Sequence, residues 1–334
     1  MQQRGAAVTD GSTANKTRAP VVILLASFRG AGFIRVQLDS IAAQTHRNWR
    51  LILSDDGSDD DTRRIVRDFA AEQTPGQVEL IDGPGRGATR NFLHLIRQAP
   101  EGVALAFSDQ DDQWFPDKLS RAMAAVGAVE GPAHYAARTV IADPDLHPLR
   151  ESPLYSRPRC FRNALVQACM AGNCSVFNPA AAALLKQGVD AAEAARIESH
   201  DWWAYLLTSG AGAAILHDPR PALLYRQHGR SEMGRNDTPR AMVRRLGLLF
   251  SGDYGNWLAA NHRALDGARH LLTPEARRLM DDFAGAIRRP GPITARHMRR
   301  LNLYRQTGTG TAALYLAAML GRLSQSRSPS SASR

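Results

Sequence analysis

Acidic side chains cluster at Asp109, Asp111 and Asp112, directly after the apolar run at residues 103–107. That run has the length and composition of a buried strand. Acids at the carboxyl end of a strand in an open α/β sheet lie where ligands usually bind. Their mutual repulsion is costly unless solvent, a cation or a basic ligand relieves it. The pattern therefore indicates either a site for a hard divalent cation with substrate phosphates or a solvated acidic turn before a helix.

A second pair of acids, Asp55 and Asp56, also follows an apolar run. The acids at residues 59–61 suit the first turn of the next helix, because the helix dipole favours negative charge there. Asp55 and Asp56 lie further from that helix and fit a capping role less well. Arg86 and Arg90 stand between the two acidic strand ends in sequence. Together these residues favour a site for a phosphate-bearing ligand and a metal.

The elements that must position these side chains follow a β-α rhythm. Apolar runs predict strands at residues 21–26, 49–53, 78–81 and 103–107, each followed by a helical stripe. Four such units argue for an α/β fold, with a parallel sheet and helices on both faces. Further strands are predicted at residues 134–142, 173–177, 213–216 and 222–226. Helices are predicted around residues 198–203 and then at 240–250, 255–272, 274–287 and from 293 onward.

Charge divides the chain into two unlike parts. The 334 residues carry a formal net charge of +10 and are 44% hydrophobic, enough for a sizeable core. Residues 1–229 hold 24 Lys or Arg and 25 acids, whereas residues 230–334 hold 18 Arg and 7 acids, a net of +11. A basic part of this size suggests an anionic surface, either a membrane or a nucleic acid. It has no recognisable nucleic-acid reader motif, so no nucleic-acid partner is expected.

The two ends of the chain differ in composition from the rest. Residues 1–20 are polar, do not resemble a signal peptide or an anchor, and predict a disordered leader. Residues 324–334 are Ser-rich and predict a disordered tail. Between them we expect an α/β domain over residues 21–235 and a basic helical region over residues 236–323. Three cysteines without a C-x-x-C pair fit a reducing cytosol.

A glycine-rich loop offers a different interpretation. Gly83, Gly85 and Ala88 fit G-x-G-x-x-G/A after a strand and before a helix, and Asp109 lies 21 residues beyond Ala88. This is the fingerprint of an NAD(P)-binding Rossmann enzyme. The fingerprint normally follows the first strand of its unit, whereas two β-α units precede it here, and it leaves the clustered acids unexplained. The sequence has neither a P-loop nor a G-x-S-x-G motif.

Seven short motifs appear in order between residues 21 and 230. They are Ser27-Phe28-Arg29-Gly30, Ser40-Ile41-Ala42-Ala43-Gln44-Thr45, Ser54-Asp55-Asp56-Gly57-Ser58, Arg90-Asn91-Phe92, Ser108-Asp109-Gln110-Asp111-Asp112-Gln113-Trp114, His200-Asp201-Trp202-Trp203 and Tyr225-Arg226-Gln227-His228-Gly229. In this order they resemble a family 2 glycosyltransferase with the GT-A fold, particularly the bacterial rhamnosyltransferase-like members. Seven ordered matches are far more specific than any one of them.

The resemblance implies a donor site at the ends of the first strands. The residues expected beside the nucleotide base and ribose are Ser27, Asp55 and Asp56, with Arg90 beside the nucleotide and its diphosphate. Two positions depart from the family pattern. Arg29 stands where the family often has Asn, so the first turn is expected to differ. Gly85 also stands where Asn is common, so that contact is expected to be absent.

The resemblance also implies a metal site. Asp109-Gln110-Asp111 matches the family's D-x-D, so Asp109 and Asp111 are the expected ligands of Mg²⁺ or Mn²⁺. Asp111 is the leading candidate, and Asp112 leaves the register open by one residue. His228 matches a position near the diphosphate or the metal. A structural, hydrogen-bonded histidine is the alternative interpretation of His228.

On the acceptor side, Asp201 matches the carboxylate proposed in the family as the general base. An acid near a helix N-terminus is also favoured by the dipole, which is the alternative explanation. Glu198 and His200 are nearby rivals; on a helix His200 would point elsewhere and Glu198 would share the face of Asp201. Trp202 and Trp203 are expected on the acceptor side as a platform for a sugar face, although one of them is equally suited to the core.

The resemblance predicts a metal-dependent inverting glycosyltransferase that moves a sugar from a nucleotide-diphosphate donor to an acceptor hydroxyl. The expected donor is dTDP-rhamnose, and the expected acceptor is a bacterial surface glycan such as O-antigen, free or lipid-linked. A non-catalytic GT-A module that binds glycans or scaffolds a complex is the alternative. The apolar run at residues 308–321 is shorter than the roughly 20 residues that span a bilayer. With the arginines before it, the run predicts peripheral attachment to the anionic cytoplasmic leaflet, and hence a cytoplasmic protein; an ordinary packed helix is the other interpretation.

Overall fold

A nine-stranded sheet forms the centre of the protein in a computed structural model that describes residues 19–228, 252–289 and 291–323. The strands are β1 (Val21–Ser27), β2 (Trp49–Asp55), β3 (Val78–Asp82), β4 (Ala104–Ser108), β5 (Gln113–Trp114), β6 (Ala133–Ala142), β7 (Pro148–Glu151), β8 (Val176–Phe177) and β9 (Ala214–Arg226). Their order is β3-β2-β1-β4-β8-β6-β9-β5, and β7 pairs with β6.

Helices cover the sheet and form the C-terminal part of the described chain. They are α1 (Ile34–Ala42), α2 (Thr62–Ala71), α3 (Ala88–Gln98), α4 (Lys118–Gly127), α5 (Phe161–Ala164), α6 (Pro179–Ala195), α7 (His200–Gly210), α8 (Asp253–Gly267), α9 (Pro274–Ile287), α10 (Gly291–Arg300) and α11 (Gly308–Met319). A short 3₁₀ turn at Gly172–Cys174 precedes β8, and another, at Arg269–Leu271, follows α8.

The first four strands confirm the predicted parallel α/β half. β1 is parallel to β2 and β4, and β2 is parallel to β3. Ser27 pairs with Asp55 and Leu25 pairs with Ser108, so these strands end at one edge of the sheet. Both acidic segments of the sequence therefore begin at that edge, where open α/β sheets bind ligands.

The second half of the sheet departs from the sequence prediction. Two strands were expected at residues 213–216 and 222–226, but β9 is a single strand that runs parallel to β6. Pro219 and Pro221 lack the backbone N–H that strand pairing uses, so they disturb the pairing locally. The pairing accommodates them through register shifts beside Arg138. The strand predicted at residues 173–177 is only the two-residue β8, and the 3₁₀ turn takes the rest.

Helix α6 was not predicted, although its start carries strong signals. The side chain of Asn178 caps the helix by accepting a hydrogen bond from the N–H of Ala181, and Pro179 occupies the first turn. Gly188 lies against the side chains of α7, where an added Cβ would be 2.6 Å from Leu207 Cδ2. The small residues of α6 thus let α7 pack closely against it.

The C-terminal helices share one continuous hydrophobic core with the α/β domain. Tyr254 Oη donates to Val166 O at 2.6 Å, and Gln306 Nε2 donates to Asn163 Oδ1 at 3.0 Å. The expected boundary at residue 235, the helix at 240–250, the tail at 324–334 and the leader except residues 19–20 lie outside the described residues. No helix among the described residues is both long and apolar enough to cross a membrane.

Candidate active site

The segment after β4 is fixed to the turn after β1 by one side chain. Gln110 Nε2 donates to Phe28 O at 2.9 Å, and the Phe28 N–H donates to Gln110 Oε1 at 3.0 Å. Gly30 lies against the side-chain amide of Gln110, and an added Cβ at Gly30 would be 2.7 Å from Gln110 Cδ. The middle residue of Asp109-Gln110-Asp111 therefore ties this acidic motif to the end of the first strand.

Asp112 is fully buried and serves the fold of this segment. Asn173 Nδ2 donates to Asp112 Oδ2 at 2.7 Å, and the Arg226 N–H donates to Oδ1 at 3.4 Å. Burial, followed by repulsion from Asp111 and Asp109, raises the pKa of Asp112 well above its usual range. A carboxyl enclosed by protein cannot reach a substrate-bound cation, so Asp109 and Asp111 are the better candidates for the metal ligands.

Asp111 pairs with His228 at the end of β9. His228 Nε2 lies 2.8 Å from Asp111 Oδ2, and the imidazole stacks on Phe33 with ring centroids 4.5 Å apart. Arg226 reaches the same motif, because its Nε donates to Asp111 O at 2.8 Å. The structure thus brings the predicted His228 to the predicted metal motif. Arg226, Asn173 and Phe33 are contacts that the sequence analysis missed, although Arg226 lies in the quoted motif that contains His228.

Asp201 lies in the first turn of α7, after the N-cap residue Ser199. Its Oδ1 accepts from Ser199 Oγ and, at 2.6 Å, from the Trp202 N–H. Oδ2 makes no hydrogen bond to any described residue and is the atom available to a substrate. The helix-start contacts therefore use only Oδ1, and they do not conflict with the predicted general-base role, which would use Oδ2.

The rivals of Asp201 do not have its position. Glu198 precedes the helix and is exposed, so it does not share a helical face with Asp201, contrary to the sequence expectation. The His200 imidazole stacks on Phe92 at 3.8 Å between centroids, and its Nε2 is buried without a partner among the described residues. Burial lowers the pKa of His200 to about 4. It is therefore neutral near pH 7, and its ring packs against Phe92 and Phe107.

The 3₁₀ turn at Gly172–Cys174 connects the acidic motif to Asp201. Asn173 bonds to Asp112, while Gly172 lies against the start of α7. A Cβ added at Gly172 would be 2.9 Å from His200 Nε2 and 3.2 Å from Asp201 Cβ. One short segment therefore positions the carboxylates on both sides of the site.

Tyr225 lies among the acids of both segments. Burial raises the pKa of its hydroxyl, and so do the negative charges of Asp109, Asp112, Asp111 and Asp201, in that order. All four carboxylates therefore lie within electrostatic range of this one phenol. This convergence was not predicted, since the sequence gives no distance between residues 109–112 and Asp201.

The residues expected at the nucleotide base already have partners within the protein. Asp55 is buried and accepts from Ser27 Oγ at 3.0 Å and from the Ser58 N–H at 2.9 Å. Asp56 accepts from the N–H groups of Gly85 and Gly87, both at 2.7 Å. The loop after β3 therefore directs these two N–H groups to Asp56, and β3 is an edge strand. Both facts oppose the dinucleotide interpretation of the glycine-rich loop.

Arg90 projects from α3 toward the segment that leads into α7. Its Nη1 donates to Ile197 O at 3.3 Å, and neighbouring Thr89 Oγ1 donates to Glu198 O at 2.7 Å. Burial lowers the pKa of Arg90, an effect that Glu193 opposes. A guanidinium has five N–H donors, so this contact leaves others for a diphosphate.

The expected acceptor platform is wrong for both tryptophans. Trp203 is 0% exposed and Trp202 is 5% exposed. Trp202 Nε1 donates to Ala164 O at 2.7 Å, which fixes α7 to α5. Helix α7 is packed on several sides, so both of these consecutive residues are enclosed. Neither ring therefore offers a face to a sugar.

Another acidic group lies on the turn between β6 and β7. Within the described residues, potential ligand atoms of Asp143, Asp145 and His147 come within 4.8 Å of one another. Asp143 Oδ1 accepts from the N–H groups of Asp145 at 2.9 Å and His147 at 2.8 Å. The hydrogen bonds of the turn itself account for this exposed cluster.

Sequence comparisons identify known relatives. Residues 22–178 match the model of Glycosyl transferase family 2. The dTDP-rhamnosyl transferase RfbG of Shigella flexneri is 28% identical over 233 residues, which cover 67% of this chain and 78% of that protein. The UDP-Glc:alpha-D-GlcNAc-diphosphoundecaprenol beta-1,3-glucosyltransferase WfgD of Escherichia coli is 28% identical over 99 residues, covering 30% of this chain and 38% of that enzyme.

Structural comparisons concern the fold. The mannosyltransferase PcManGT of Pyrobaculum calidifontis, solved with GDP-Man and Mn²⁺, aligns with a TM-score of 0.51 at 18% identity. That alignment covers 92% of this chain and 87% of the mannosyltransferase. TarS of S. aureus aligns with a TM-score of 0.50 at 12% identity, covering 90% of this chain and 55% of TarS.

Proposed function

Since residues 22–178 form a glycosyl transferase family 2 domain and the chain has the GT-A fold, we propose that it is an inverting, metal-dependent glycosyltransferase of bacterial surface-glycan synthesis. As a transferase it is an enzyme, so the alternatives of a non-catalytic module and an NAD(P)-binding enzyme are set aside. In the proposed reaction a sugar moves from a nucleotide-diphosphate donor to an acceptor hydroxyl.

The convergence of acids on the Gly172–Cys174 turn carries the proposal, since Asn173 bonds to Asp112 while Gly172 lies against Asp201. Asp109 and Asp111 come from the end of β4, Asp201 comes from the start of α7, and His228 follows β9. Separate parts of the chain thus deliver carboxylates to the sheet edge where ligands bind. Two acidic groups on opposite sides of a site suit a reaction with a phosphate-bearing leaving group and a proton to remove.

The donor set fits Mg²⁺ or Mn²⁺. Carboxylate oxygens are the ligands that both ions prefer, and an imidazole such as His228 is acceptable to Mn²⁺. We assign Asp109 and Asp111 to the cation, with His228 orienting Asp111 through their 2.8 Å contact. When bound, the cation would offset the negative charge that develops on the leaving diphosphate. A relative in fold that was solved with Mn²⁺ supports the assignment.

Asp201 is assigned as the general base. Its Oδ2 would accept the proton of the acceptor hydroxyl while the hydroxyl oxygen attacks the anomeric carbon. The bond from that carbon to the diphosphate oxygen breaks on the opposite face, so the anomeric configuration inverts. Ser199 and the Trp202 N–H hold Oδ1, which keeps Oδ2 directed away from the cap.

The donor site would include Ser27, Asp55, Asp56, Asp109, Arg90 and His228. Carboxylate oxygens carry several lone pairs, so Asp55 and Asp56 can accept further hydrogen bonds from a base or ribose. Arg90 would supply positive charge for the diphosphate. We propose dTDP-rhamnose as the donor, a choice supported by the printed name of the Shigella relative.

The acceptor is proposed to be a growing O-antigen or a related surface glycan, free or carried on a lipid. The name of the Escherichia coli relative includes a diphosphoundecaprenol-linked acceptor, which supports a lipid-linked one. Such an acceptor would place the enzyme at the inner face of the cytoplasmic membrane, as a peripheral protein. Nucleic acid has no place in this reaction.

A donor screen tests the proposed function. Purified full-length protein would be incubated with Mn²⁺ or Mg²⁺ and a panel of nucleotide sugars, scoring donor hydrolysis, transfer and thermal shift. We expect dTDP-rhamnose with a divalent cation to give the largest shift and the fastest turnover. Stabilisation by another nucleotide sugar would replace the donor assignment, and activity that is undiminished in EDTA would contradict the role of the metal.

A further inference from the structure

Helix α11 is apolar on every side, yet one of its faces is open to solvent. Leu314, Ala317 and Ala318 pack into the core. On the opposite face Leu316 is 48% exposed and Met319 is 52% exposed, and Leu320, which follows the helix, is 58% exposed. A helix that is hydrophobic all round is normally enclosed by protein or by lipid. The open face therefore needs a partner.

The start of α10 extends this apolar surface. Gly291 lies so close to the backbone of Met319 that an added Cβ would collide with Met319 O. This contact brings Ile293, which is 43% exposed, to the same end of the α10–α11 pair. We call Ile293, Leu316, Met319 and Leu320 the apolar patch. Large exposed apolar groups that gather in one place indicate an interaction site, whereas scattered ones do not.

The segment that carries the patch is strongly basic. Residues 288–323 contain seven arginines and neither Asp nor Glu. Six of them are exposed in the structure, namely Arg288, Arg289, Arg296, Arg299, Arg300 and Arg322. An apolar centre with a cationic border matches an anionic lipid surface, whose headgroups attract arginine and whose acyl boundary accepts Leu, Ile and Met.

We propose that the apolar patch and its arginines dock onto an anionic phospholipid bilayer. A second copy of the chain is disfavoured, because self-association would bring two sets of arginines together without any acid from this segment. Nucleic acid would pair with the arginines but would leave the apolar side chains against water. The inference deepens the proposed function, in which a membrane-held acceptor gives the docking its purpose.

Contacts within the protein connect this surface to the acceptor side. Arg157 Nη1 donates to Arg305 O at 2.9 Å, and Asn163 Nδ2 donates to Tyr304 O at 3.0 Å, both in the connection between α10 and α11. Trp202 Nε1 then ties the same region to α7 through Ala164 O. The helix that carries Asp201 is therefore held in a fixed relation to the docking surface.

Vesicle co-sedimentation of the full chain tests the proposal. The vesicles are phosphatidylcholine alone and an equal mixture with phosphatidylglycerol. One variant replaces Leu316, Met319 and Leu320 by Gln. Its matched control replaces Leu149, on β7, and Leu154, just after β7, by Gln. These two side chains are exposed to a similar degree. Point substitutions are preferable to deleting residues 290–334, because deletion would also remove the core contact of Gln306 with Asn163.

A second variant tests the charge. It replaces Arg296, Arg299 and Arg300 by Gln, and its control makes the same change in net charge at Arg50, Arg64 and Arg220. We expect the wild type and both controls to bind the anionic vesicles and not the neutral ones. The arginine variant should bind about fivefold more weakly for each charge removed. The apolar variant should lose about tenfold or more even at low salt.

Equal retention of the wild type and the apolar variant would overturn the proposal. So would loss of binding in the controls to the same extent, tighter binding of the wild type to DNA than to the vesicles, or a dimer that the apolar variant abolishes. Transfer to a soluble acceptor is measured on the same samples and should be unchanged in all four variants. A failure of docking is thus distinguishable from a failure of the proposed function.

Discussion

Replacing Asp201 by Asn tests the general-base assignment with little change to the fold. The carboxamide oxygen of Asn can take the place of Oδ1, which accepts from Ser199 Oγ and the Trp202 N–H. The amide nitrogen then replaces Oδ2, the oxygen assigned to the acceptor proton. An amide cannot accept that proton, so the substitution removes the base and keeps the contacts at the helix start.

The expected loss of turnover is about 10²- to 10⁴-fold, the usual contribution of general-base catalysis. At 1.36 kcal/mol for each factor of ten, this equals roughly 2.7 to 5.4 kcal/mol of activation free energy. Donor and metal affinity should change little, because Asp109 and Asp111 lie in another segment. The free energy of unfolding should also stay within about 1 kcal/mol of the wild type, since the cap is retained.

Ser199→Ala is the matched control. It removes the N-cap side chain that binds both the Trp202 N–H and Asp201, but it leaves the carboxylate in place. We expect a loss of stability of about 1 kcal/mol with a smaller loss of turnover than in Asp201→Asn. Asp201→Asn should therefore lower turnover more than stability, whereas Ser199→Ala should lower stability more than Asp201→Asn does and turnover less.

The assay is turnover at saturating donor and acceptor, with affinity for the nucleoside diphosphate measured by thermal shift. Turnover of Asp201→Asn within tenfold of the wild type would exclude Asp201 as the base. The anomeric configuration of the wild-type product is determined by NMR. Retention of configuration would refute the inverting mechanism as a whole, because a single displacement at the anomeric carbon must invert its configuration.

Three further predictions concern the surroundings of Asp201 and the metal motif. Asp111→Asn should lower turnover strongly and abolish thermal stabilisation by Mn²⁺ with a nucleoside diphosphate; stabilisation equal to the wild type would remove Asp111 from the metal site. Gly172→Ala should lower turnover by displacing His200 and Asp201, because its Cβ would be 2.9 Å from His200 Nε2; wild-type kinetics would show that the turn can shift freely. Burial lowers the pKa of Lys118 to about 8 from its ordinary 10.5, so the unfolded chain binds more protons between these values and stability should rise with pH there. Relative to Lys118→Met, the free energy of unfolding of the wild type should increase by roughly 3 kcal/mol from below pH 8 to above pH 10; a pH-independent difference between the two proteins in chemical denaturation would contradict this.

Local pattern predicted the parallel half of the fold, because each strand there is a short apolar run with a clear end. Ser27, Asp55 and Ser108 could be placed at one sheet edge for that reason. The pattern failed where tertiary packing decides the structure. Two strands were expected where pairing with β6 forms the single strand β9, and the Ala-rich α6 has little periodicity to reveal it.

The candidate site was predictable only as separate segments. Sequence placed acids at residues 109–112 and 201, but contacts from distant residues determine which of them faces the ligand. The buried carboxylate of Asp112 bonds to Asn173, which is 61 residues away in sequence. No local sequence pattern indicates this contact. Trp202 and Trp203 were assigned to the acceptor because aromatic rings suit sugars, whereas their burial depends on α5 and α6, which pack against α7 from outside the motif.

The contact between Gly30 and Gln110 has a consequence for how this sequence can diverge. A methyl group at position 30 would overlap the Gln110 amide, and that amide in turn holds both backbone groups of Phe28. Substitutions at the two positions are therefore coupled. An alanine at position 30 is acceptable only if residue 110 has a shorter side chain than glutamine. Among homologues, side-chain size at these two sites should covary, although 80 residues separate them in sequence. The middle residue of the acidic motif is therefore constrained by the turn that follows β1.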